Sequence, residues 1–595
     1  MGTEFRAPEP GLRRPPPKLS ARHSDTEPPP LVQRIAAGLR YLSGSVDRAR
    51  LMRAGLFALA GLLLAVGGGL VDGTVHRGVE SGIVAPIVRQ TTGRDLAANV
   101  DLTRLTPDQL PLVAEMLQAN GIRLVRQPFA WAEIEPAPGG FTWDRYDAIM
   151  EELGRRGIGV VGVMQRSPGW VRASDAAEAF DAPPVDPAAY ERFVNAVATR
   201  YGDRLSAVQL WDLPNRSDHW GGKPPDPAAY VTLIGYGSNG VRGANPDAPV
   251  LLAELDPRPE TGMRDRDLAY LDQVYRAGGA PYFDVVAARV DGGRDTPFDR
   301  AVDADGTNLS RAVLFREVME RAGDGAKPVW ATHYGWQAEG PEQRGVSPSD
   351  QAEYTVAGIE RARTEWPWMG PMFLWGLTPG PDLQGTVPVG RTLLGADGVP
   401  SAMLSALGEF HASGMAEIAA TGALPVTARQ FRTDGEWDVQ QLGKEIYLTT
   451  KDPDASAQVI FRGTGIEGTV RLSRQAAPVE MRLDGEVIPL DLGAFRAADS
   501  DVVIGTGLPD GLHELEIRLA GPGEFTIGGV MVERSVPLEW PVMLLVGSGV
   551  GLLFLGMRTL YFTLAERSGR LERGRHLDLW LDLPPIPDWR SPSGN

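Results

Sequence analysis

The sequence contains no cysteine, which excludes disulfides, thiolate metal centres and cysteine nucleophiles together. Histidine is scarce, and the seven present show no metal-ligand spacing, so neither a metal nor another cofactor is expected. Positive charge is outnumbered, with 59 Lys and Arg against 76 Asp and Glu and a net charge of −17. That balance argues against a nucleic-acid partner and is compatible with a neutral polymer such as a polysaccharide. What is present is an ordinary supply of core: 43% of residues are hydrophobic. A chain of 595 residues is too long for one core, so two folded domains are expected, with further segments that do not fold alone.

The ends of the chain differ from its middle. Residues 1–53 carry Pro15-Pro16-Pro17 and Pro28-Pro29-Pro30 among Arg, Ser and Glu, too little apolar surface to offset ordering entropy, and read as a disordered tail. Ala54 to Val71 is almost uninterruptedly apolar; about 18 residues span roughly 27 Å as a helix, enough to cross a bilayer. Its alternatives are a buried core helix or a cleaved signal, but it starts far from the N-terminus and no cleavage site stands out. We assign residues 54–73 to a transmembrane helix and 74–94 to a linker. A second apolar run, Trp540 to Met557 with Tyr561-Phe562 beyond it, gives a transmembrane helix over 539–562 and a tail over 563–595. Arg48, Arg50 and Arg53 precede the first span; Arg558, Arg567, Arg570, Arg573 and Arg575 follow the second. By the positive-inside rule both tails are cytoplasmic. The expectation is a two-pass plasma-membrane protein whose residues from 74 to about 538 lie outside.

Over 95–415 short apolar runs alternate with helical patterns. Strands are expected at 96–100, 123–127, 159–164, 207–211, 250–254, 283–288, 329–332 and 372–375, with helices such as 106–120 and 144–156 between them. Eight strand–helix units in about 310 residues match a (β/α)8 barrel. A doubly wound open sheet is the competing fold, but no Gly-rich phosphate fingerprint follows the first strand. Residues 420–535 change to short alternating strands with turn signals at Asp484-Gly485 and Asp510-Gly511, which reads as an all-β sandwich, expected to be a jelly roll.

Chemistry belongs at the carboxyl ends of barrel strands, and several motifs gather there. Val125-Arg126-Gln127 ends the second strand, followed by Trp131-Ala132-Glu133-Ile134-Glu135-Pro136, Phe141-Thr142-Trp143 and Tyr146-Asp147. Ser167-Pro168-Gly169-Trp170 follows the third, Gln209-Leu210-Trp211-Asp212-Leu213-Pro214-Asn215 ends the fourth, and Trp375 ends the eighth. Together they resemble retaining glycoside hydrolases of the two-glutamate barrel clan, with family 39 nearest, over most of 95–412. The resemblance implies a general acid/base glutamate after strand four, a nucleophilic glutamate after strand seven, an arginine at Arg126 supporting the nucleophile, and an aromatic floor at Trp375. Residues 420–535 are similar to the accessory domains of glycosidases at Phe461-Arg462-Gly463-Thr464-Gly465 and Leu512-His513-Glu514-Leu515-Glu516-Ile517. A sugar-binding module and an inert spacer both fit that likeness.

The departures fall on the catalytic positions. Leu213 stands where the acid/base glutamate would be, and a leucine moves no proton. Arg289 replaces a histidine after strand six. In Val329-Trp330-Ala331-Thr332-His333-Tyr334-Gly335-Trp336, His333 takes the nucleophile's place. Without two carboxyl groups about 5–5.5 Å apart the retaining route is closed. Asp212, Glu254 and Asp291 remain as candidates for a displaced, inverting pair, although carboxylates on solvated loops are the plainer reading. What is left is binding, with Arg126, Trp131, Trp170, Trp211, Asp212, Asn215, Arg289, His333, Tyr334, Trp336 and Trp375 as candidate sugar contacts. The leading expectation is therefore a membrane-anchored pseudoenzyme that binds or guides a polysaccharide or oligosaccharide, working beside a membrane synthesis or export complex. An active hydrolase or transglycosylase using displaced carboxylates, and a structural or interaction ectodomain, are the alternatives.

Overall fold

The computed structural model describes residues 45–82, 88, 94, 96–176, 179, 181–257, 266–302, 304, 306, 308–340, 345–382, 385–442, 445–471, 477–488, 499–535 and 540–567. The expected tail within 1–44, and Arg570, Arg573 and Arg575, lie outside these residues. The chain divides into two compact units: residues 73–537, and the two ends, 1–72 with 538–595.

The larger unit begins with eight parallel strands: β1 (Leu96–Asn99), β2 (Ile122–Ala130), β3 (Gly159–Gln165), β4 (Leu205–Leu210), β5 (Val250–Leu252), β6 (Val286–Asp291), β7 (Val329–Gly335) and β8 (Met369–Leu374). β1 to β5 and β6 to β8 each pair with the next in sequence, and β8 pairs with β1. The circle closes between β5 and β6 through a parallel bridge, Leu251 to Val285. One residue from each staves the interior: Ala97, Leu124, Val161, Ala207, Leu251, Val285, Trp330 and Phe373 form a separate buried cluster, the packed floor of a barrel rather than a pore. The strands are buried on both faces, as parallel sheets covered by helices require.

Local signals start the covering helices. Asp186-Pro187 opens Pro187–Tyr201, Asp226-Pro227 opens Pro227–Ala244, and Ser347-Pro348 opens Pro348–Glu365. In each, the Asp or Ser side chain accepts a first-turn N–H, and proline follows where no amide is missed. The expected helices at 106–120 and 144–156 are present as Gln109–Ala119 and Asp144–Arg155.

After the barrel comes a separate antiparallel sheet with its own core around Phe431, Phe461, Ile466, Val502, Leu515 and Ile527. Its spine is one strand, Ser456–Arg471, paired to Asp499–Leu519 on one side and Phe525–Glu533 on the other. Where the sequence suggests only short strands, the first two of these are long and carry bulges. The Asp510-Gly511 signal marks no hairpin: pairing runs from Gly465↔Thr506 to Gly463↔Gly511, so 507–510 bulge out and the same pair resumes. Asp484-Gly485 does turn the chain, with Asp484 at φ 53° and Gly485 at φ 83°. The chain enters and leaves the larger unit side by side, since Arg534 N donates to Ser81 O (2.8 Å). Upstream, Arg77 is held to Glu317 by two hydrogen bonds (2.9 and 3.0 Å).

The smaller unit is a pair of antiparallel helices, Ser45–Val75 and Trp540–Arg567. Apolar stretches of 26 and 24 residues give about 39 and 36 Å, longer than the roughly 30 Å hydrocarbon core of a bilayer. Ala54, Gly61 and Gly68 recur at seven residues and are buried, facing buried Gly549 and Gly556. A Cβ on Gly61 would come 2.5 Å from Gly549 O, and one on Gly556 2.7 Å from Ala58 N. Glycine is required there because the two backbones touch. Leu56, Leu63, Leu70, Phe554 and Tyr561 point outward.

Candidate functional site

Above the apolar floor, the carboxyl ends of the strands converge on two ion-paired centres. Around the first, Arg126 on β2 is fully buried and uses three nitrogens: Nη2 donates to Asp212 Oδ1 (2.7 Å), Nε to Gln209 Oε1 (2.8 Å) and Nη1 to Asn99 Oδ1 (2.9 Å). Gln209 Nε2 adds a second donor to Asp212 Oδ1 (2.9 Å). Asn99 Nδ2 ties the group to the far side of the barrel through Thr332 O and Leu374 O (both 2.8 Å). Arg126 therefore holds the carboxylate after β4, not a group at β7. Asp212 stands inside the mouth with 3% of its surface exposed.

Around the second, Glu254 just after β5 is completely buried. It accepts from Arg289 Nε (2.7 Å) and Nη2 (2.5 Å), from Thr332 Oγ1 (2.7 Å) and from His333 Nδ1. Consecutive residues of a regular strand point to opposite faces, yet Thr332 and His333 reach the same carboxylate. A bulge explains it: Ala288 faces Ala331, whereas Arg289 already faces His333, and the extra residue turns both side chains inward. Burial alone would raise the Glu254 pKa; Arg289 and then His333 more than offset it and hold Glu254 well below the usual carboxylate range. Burial lowers His333, with Glu254 restoring part of the loss, so near neutrality a neutral imidazole donates its Nδ1 proton to an ionised glutamate.

The remaining mouth carboxylates are paired too. Asp256 takes Arg216 Nη1 (2.7 Å) and lies 3.7 Å from Arg289 Nη1. Asp291 takes Arg391 Nη1 (2.6 Å) and Gly293 N (3.0 Å). Asp181, beyond β3, behaves differently: burial raises its pKa against the opposing pull of His219 and Arg166, and Asp212 and Asp218 raise it further. Among the described residues no group of three His, Asp or Glu side chains is disposed to hold a metal ion.

The ends of β3 and β4 carry backbone strain. Arg166 (φ 60°), Trp211 (71°) and Leu213 (47°) adopt left-handed conformations without being glycine, at about 1–2 kcal/mol each. The fold compensates locally. Trp211 N donates to Met164 O and Tyr190 Oη (both 3.1 Å), and Leu213 N donates to Glu254 O (3.1 Å). Asn215 exchanges a pair of hydrogen bonds with the Asp256 backbone (2.8 and 2.9 Å). Leu213 itself is buried.

The aromatic candidates separate by burial. Trp131 lies at 0% exposure, stacked on Phe193 (5.0 Å) with Nε1 donating to Glu135. Trp211 donates to His219 O (3.2 Å), Trp336 to Asp295 O (2.8 Å) and Tyr334 to Thr355 O (2.7 Å), and all three are buried. These four and Asn215 have almost no surface to offer a sugar ring; they pack the walls behind the mouth. Trp170 is 38% exposed. Trp375 is partly exposed, with the Arg391 guanidinium 4.1 Å from its ring centre, Arg289 at 5.1 Å and the His333 ring at 4.9 Å. Sequence reasoning leaves out Asn99, Gln209, Thr332, Arg216, Asp181 and Arg391. Polar side chains at the ends of otherwise apolar strands mark Asn99, Gln209 and Thr332; nothing local marks the others.

Parts of the chain are similar to known glycoside hydrolases. A glycosyl hydrolase family 42 model, described as beta-galactosidase, matches residues 106–169, which is 64 of 595 residues. No curated protein matches the chain. Among solved structures, the chain is similar to a family 39 glycoside hydrolase from Bacteroides cellulosilyticus WH2 at 16% identity and a TM-score of 0.42, covering 73% of this chain and 83% of that one. A monomeric beta-xylosidase from Caulobacter crescentus CB15 matches at 14% identity and a TM-score of 0.40, covering 74% and 98%. A GH5_18 protein from Streptomyces cattleya in complex with GlcNAc matches at 15% and 0.42, covering 56% and 82%. The barrel assignment rests on the strand order and closure above; over these stretches the chain is similar to glycoside hydrolases.

Proposed function

We propose that this is a membrane-anchored, glycosidase-like barrel that binds or guides a polysaccharide outside the cell and does not cleave it. The observation that carries the reading is the state of Glu254: fully buried and shared by Arg289, Thr332 and His333. A nucleophile must reach the anomeric carbon and a general acid must hold a proton near neutral pH; Glu254 does neither. Asp212, Asp256 and Asp291 are likewise engaged by arginines, and positions 213 and 333 carry no carboxyl group.

Among the described candidate residues, Trp170 and Trp375, with Arg391 beside the latter, keep aromatic surface for a glycan. The antiparallel sheet acts as a jelly-roll accessory module on the same ligand. Two apolar helices at the chain ends, with arginines at their tail sides, support a two-pass anchor with both tails cytoplasmic. A neighbouring membrane polysaccharide synthesis or export complex is the partner class that such a display suits. Glycan-array binding by the full-length protein in detergent tests the reading: selective binding is expected, weakened at least tenfold by Trp375→Ala or Trp170→Ala. A featureless array overturns it.

Two specific observations favour other readings. The burial of Trp131, Trp211, Trp336 and Tyr334 favours a structural or interaction ectodomain, which the featureless array would support. Asp181, with its raised pKa in a loop after β3, is the residue that would serve a displaced general acid if the protein hydrolysed glycosides.

A further inference from the structure

The ion pairs of the barrel mouth leave three nitrogens uncommitted. His333 gives Nδ1 to Glu254; among the described residues its Nε2 meets no hydrogen-bond partner and keeps contact with solvent. Arg289 spends Nε and Nη2 on Glu254, while Nη1 lies 3.7 Å from Asp256 Oδ1, too far for a hydrogen bond. Arg391 spends Nε on Gln337 Oε1 (2.9 Å) and Nη1 on Asp291 Oδ2 (2.6 Å), which leaves Nη2. The three groups gather round one indole, with the His333 ring 4.9 Å, the Arg391 guanidinium 4.1 Å and the Arg289 guanidinium 5.1 Å from the centre of the Trp375 ring.

Because the proton sits on Nδ1, Nε2 presents a lone pair. Burial holds His333 below the ordinary 6.5, so that lone pair is available at neutral pH. Glu254 fixes the ring's tautomer and opposes the charge that the ring gains on accepting a proton. The sign of the surrounding charge then selects the reaction. Glycoside hydrolysis builds positive charge on the sugar ring, which the two guanidiniums repel. Ester hydrolysis builds negative charge on a carbonyl oxygen, which uncommitted N–H donors stabilise.

We propose that His333 is the general base of an esterase activity that removes O-acyl groups from the bound glycan, with Arg289 Nη1 and Arg391 Nη2 as oxyanion donors. The inference rests on the glycan-binding reading above and leaves glycosidic bonds intact. Nε2 takes a proton from a water whose oxygen bonds to the acyl carbon. The carbonyl electron pair moves onto its oxygen and meets the arginine N–H groups. When the pair returns, the bond from the acyl carbon to the sugar oxygen breaks, and the imidazolium gives its proton to that oxygen. One ester and one water become a carboxylic acid and a free hydroxyl.

The test is acetate release by the full-length protein in detergent from O-acetylated β-glycans and from 4-nitrophenyl acetate. Turnover is expected, reduced about 100-fold or more in His333→Gln, which can still donate to Glu254 but cannot act as a base, and about tenfold or more in Arg391→Met, which leaves the dyad in place. No release above the uncatalysed rate, or release that His333→Gln retains, overturns the proposal. Should His333→Gln fail to fold, the pH profile of the unaltered protein decides: a single ionisation below 6.5 with a plateau above it supports the base, and a rate first order in hydroxide through neutrality refutes it. Selective glycan binding without acetate release overturns the esterase alone, whereas a featureless glycan array removes the ligand on which both readings rest.

Discussion

Glu254 and Arg289 meet in a buried site, and their interdependence follows from that placement. Removing one partner of a buried pair leaves the other charge uncompensated, at about 3–5 kcal/mol. Glu254→Gln is therefore expected to lower unfolding stability by that order in denaturant titrations, and Arg289→Met added to it is expected to recover part of the loss. The same centre fixes a pH dependence. Glu254 has a lowered pKa, so its contribution is present above the ordinary value of 4.5 and is lost as pH falls through its folded value. His333, lowered from 6.5, resists charging in the folded state and so also penalises folding as pH drops below 6.5. Both act in one direction: stability should decline below pH 6.5 through His333 and more steeply below pH 4.5 through Glu254, and Glu254→Gln should remove the steeper part.

At the scale of elements, the antiparallel sheet contains a titrating clamp of opposite sign. His513 Nδ1 faces Asp484 Oδ2 (2.7 Å) and Nε2 faces Pro509 O (2.9 Å), so both ring nitrogens meet acceptors and only the imidazolium satisfies both. Burial lowers its pKa, but Asp484, Pro509 and Asp510 outweigh that and raise it above 6.5. The stabilisation is complete below 6.5 and fades as pH rises through the folded value. An NMR titration of His513 should show a raised midpoint that falls towards 6.5 in Asp484→Asn. The helix pair offers a second check. Gly61→Leu, whose side chain would collide with Gly549 O, should separate the two helices and lower the midpoint of thermal unfolding in detergent, whereas Gly69→Leu, at a position with open space around a Cβ, should not.

Elements were legible in the sequence where period and punctuation agree. The eight barrel strands follow from apolar runs separated by capped helices, and each expected strand overlaps an observed one. Six short strands, Gly380–Asp382, Gly385–Val387, Gly422–Pro425, Phe431–Asp434, Asp438–Leu442 and Glu486–Ile488, were not, because exposed or very short pairing leaves little hydrophobic signal; Asp438–Leu442 is exposed throughout. The site was legible as a set of positions but not as a set of partners. Glu254, Arg289 and His333 each stand out at a strand end, yet their union depends on the β7 bulge, which no local pattern announces. The tryptophans mislead for a related reason: an indole at a strand end reads the same whether it faces the mouth or, like Trp131 and Trp336, packs behind it.

For the whole molecule, the expected topology places residues 74 to about 538 on one side of a membrane and both tails on the other. Val439→Cys, at a position 68% exposed, should react with a membrane-impermeant maleimide on intact cells, whereas Ser20→Cys should react only after permeabilisation. The reverse pattern contradicts the positive-inside reading. With Asp212, Glu254, Asp256 and Asp291 held in ion pairs, we propose that the barrel mouth holds a glycan without cutting it. The direct measurement is product release by the full-length protein from a panel of β-linked glycans and aryl β-glycosides, alongside Asp181→Asn, Asp212→Asn and Glu254→Gln. No turnover above the uncatalysed rate is expected for any of the four proteins. Turnover by the unaltered protein that one of these substitutions abolishes would contradict the account.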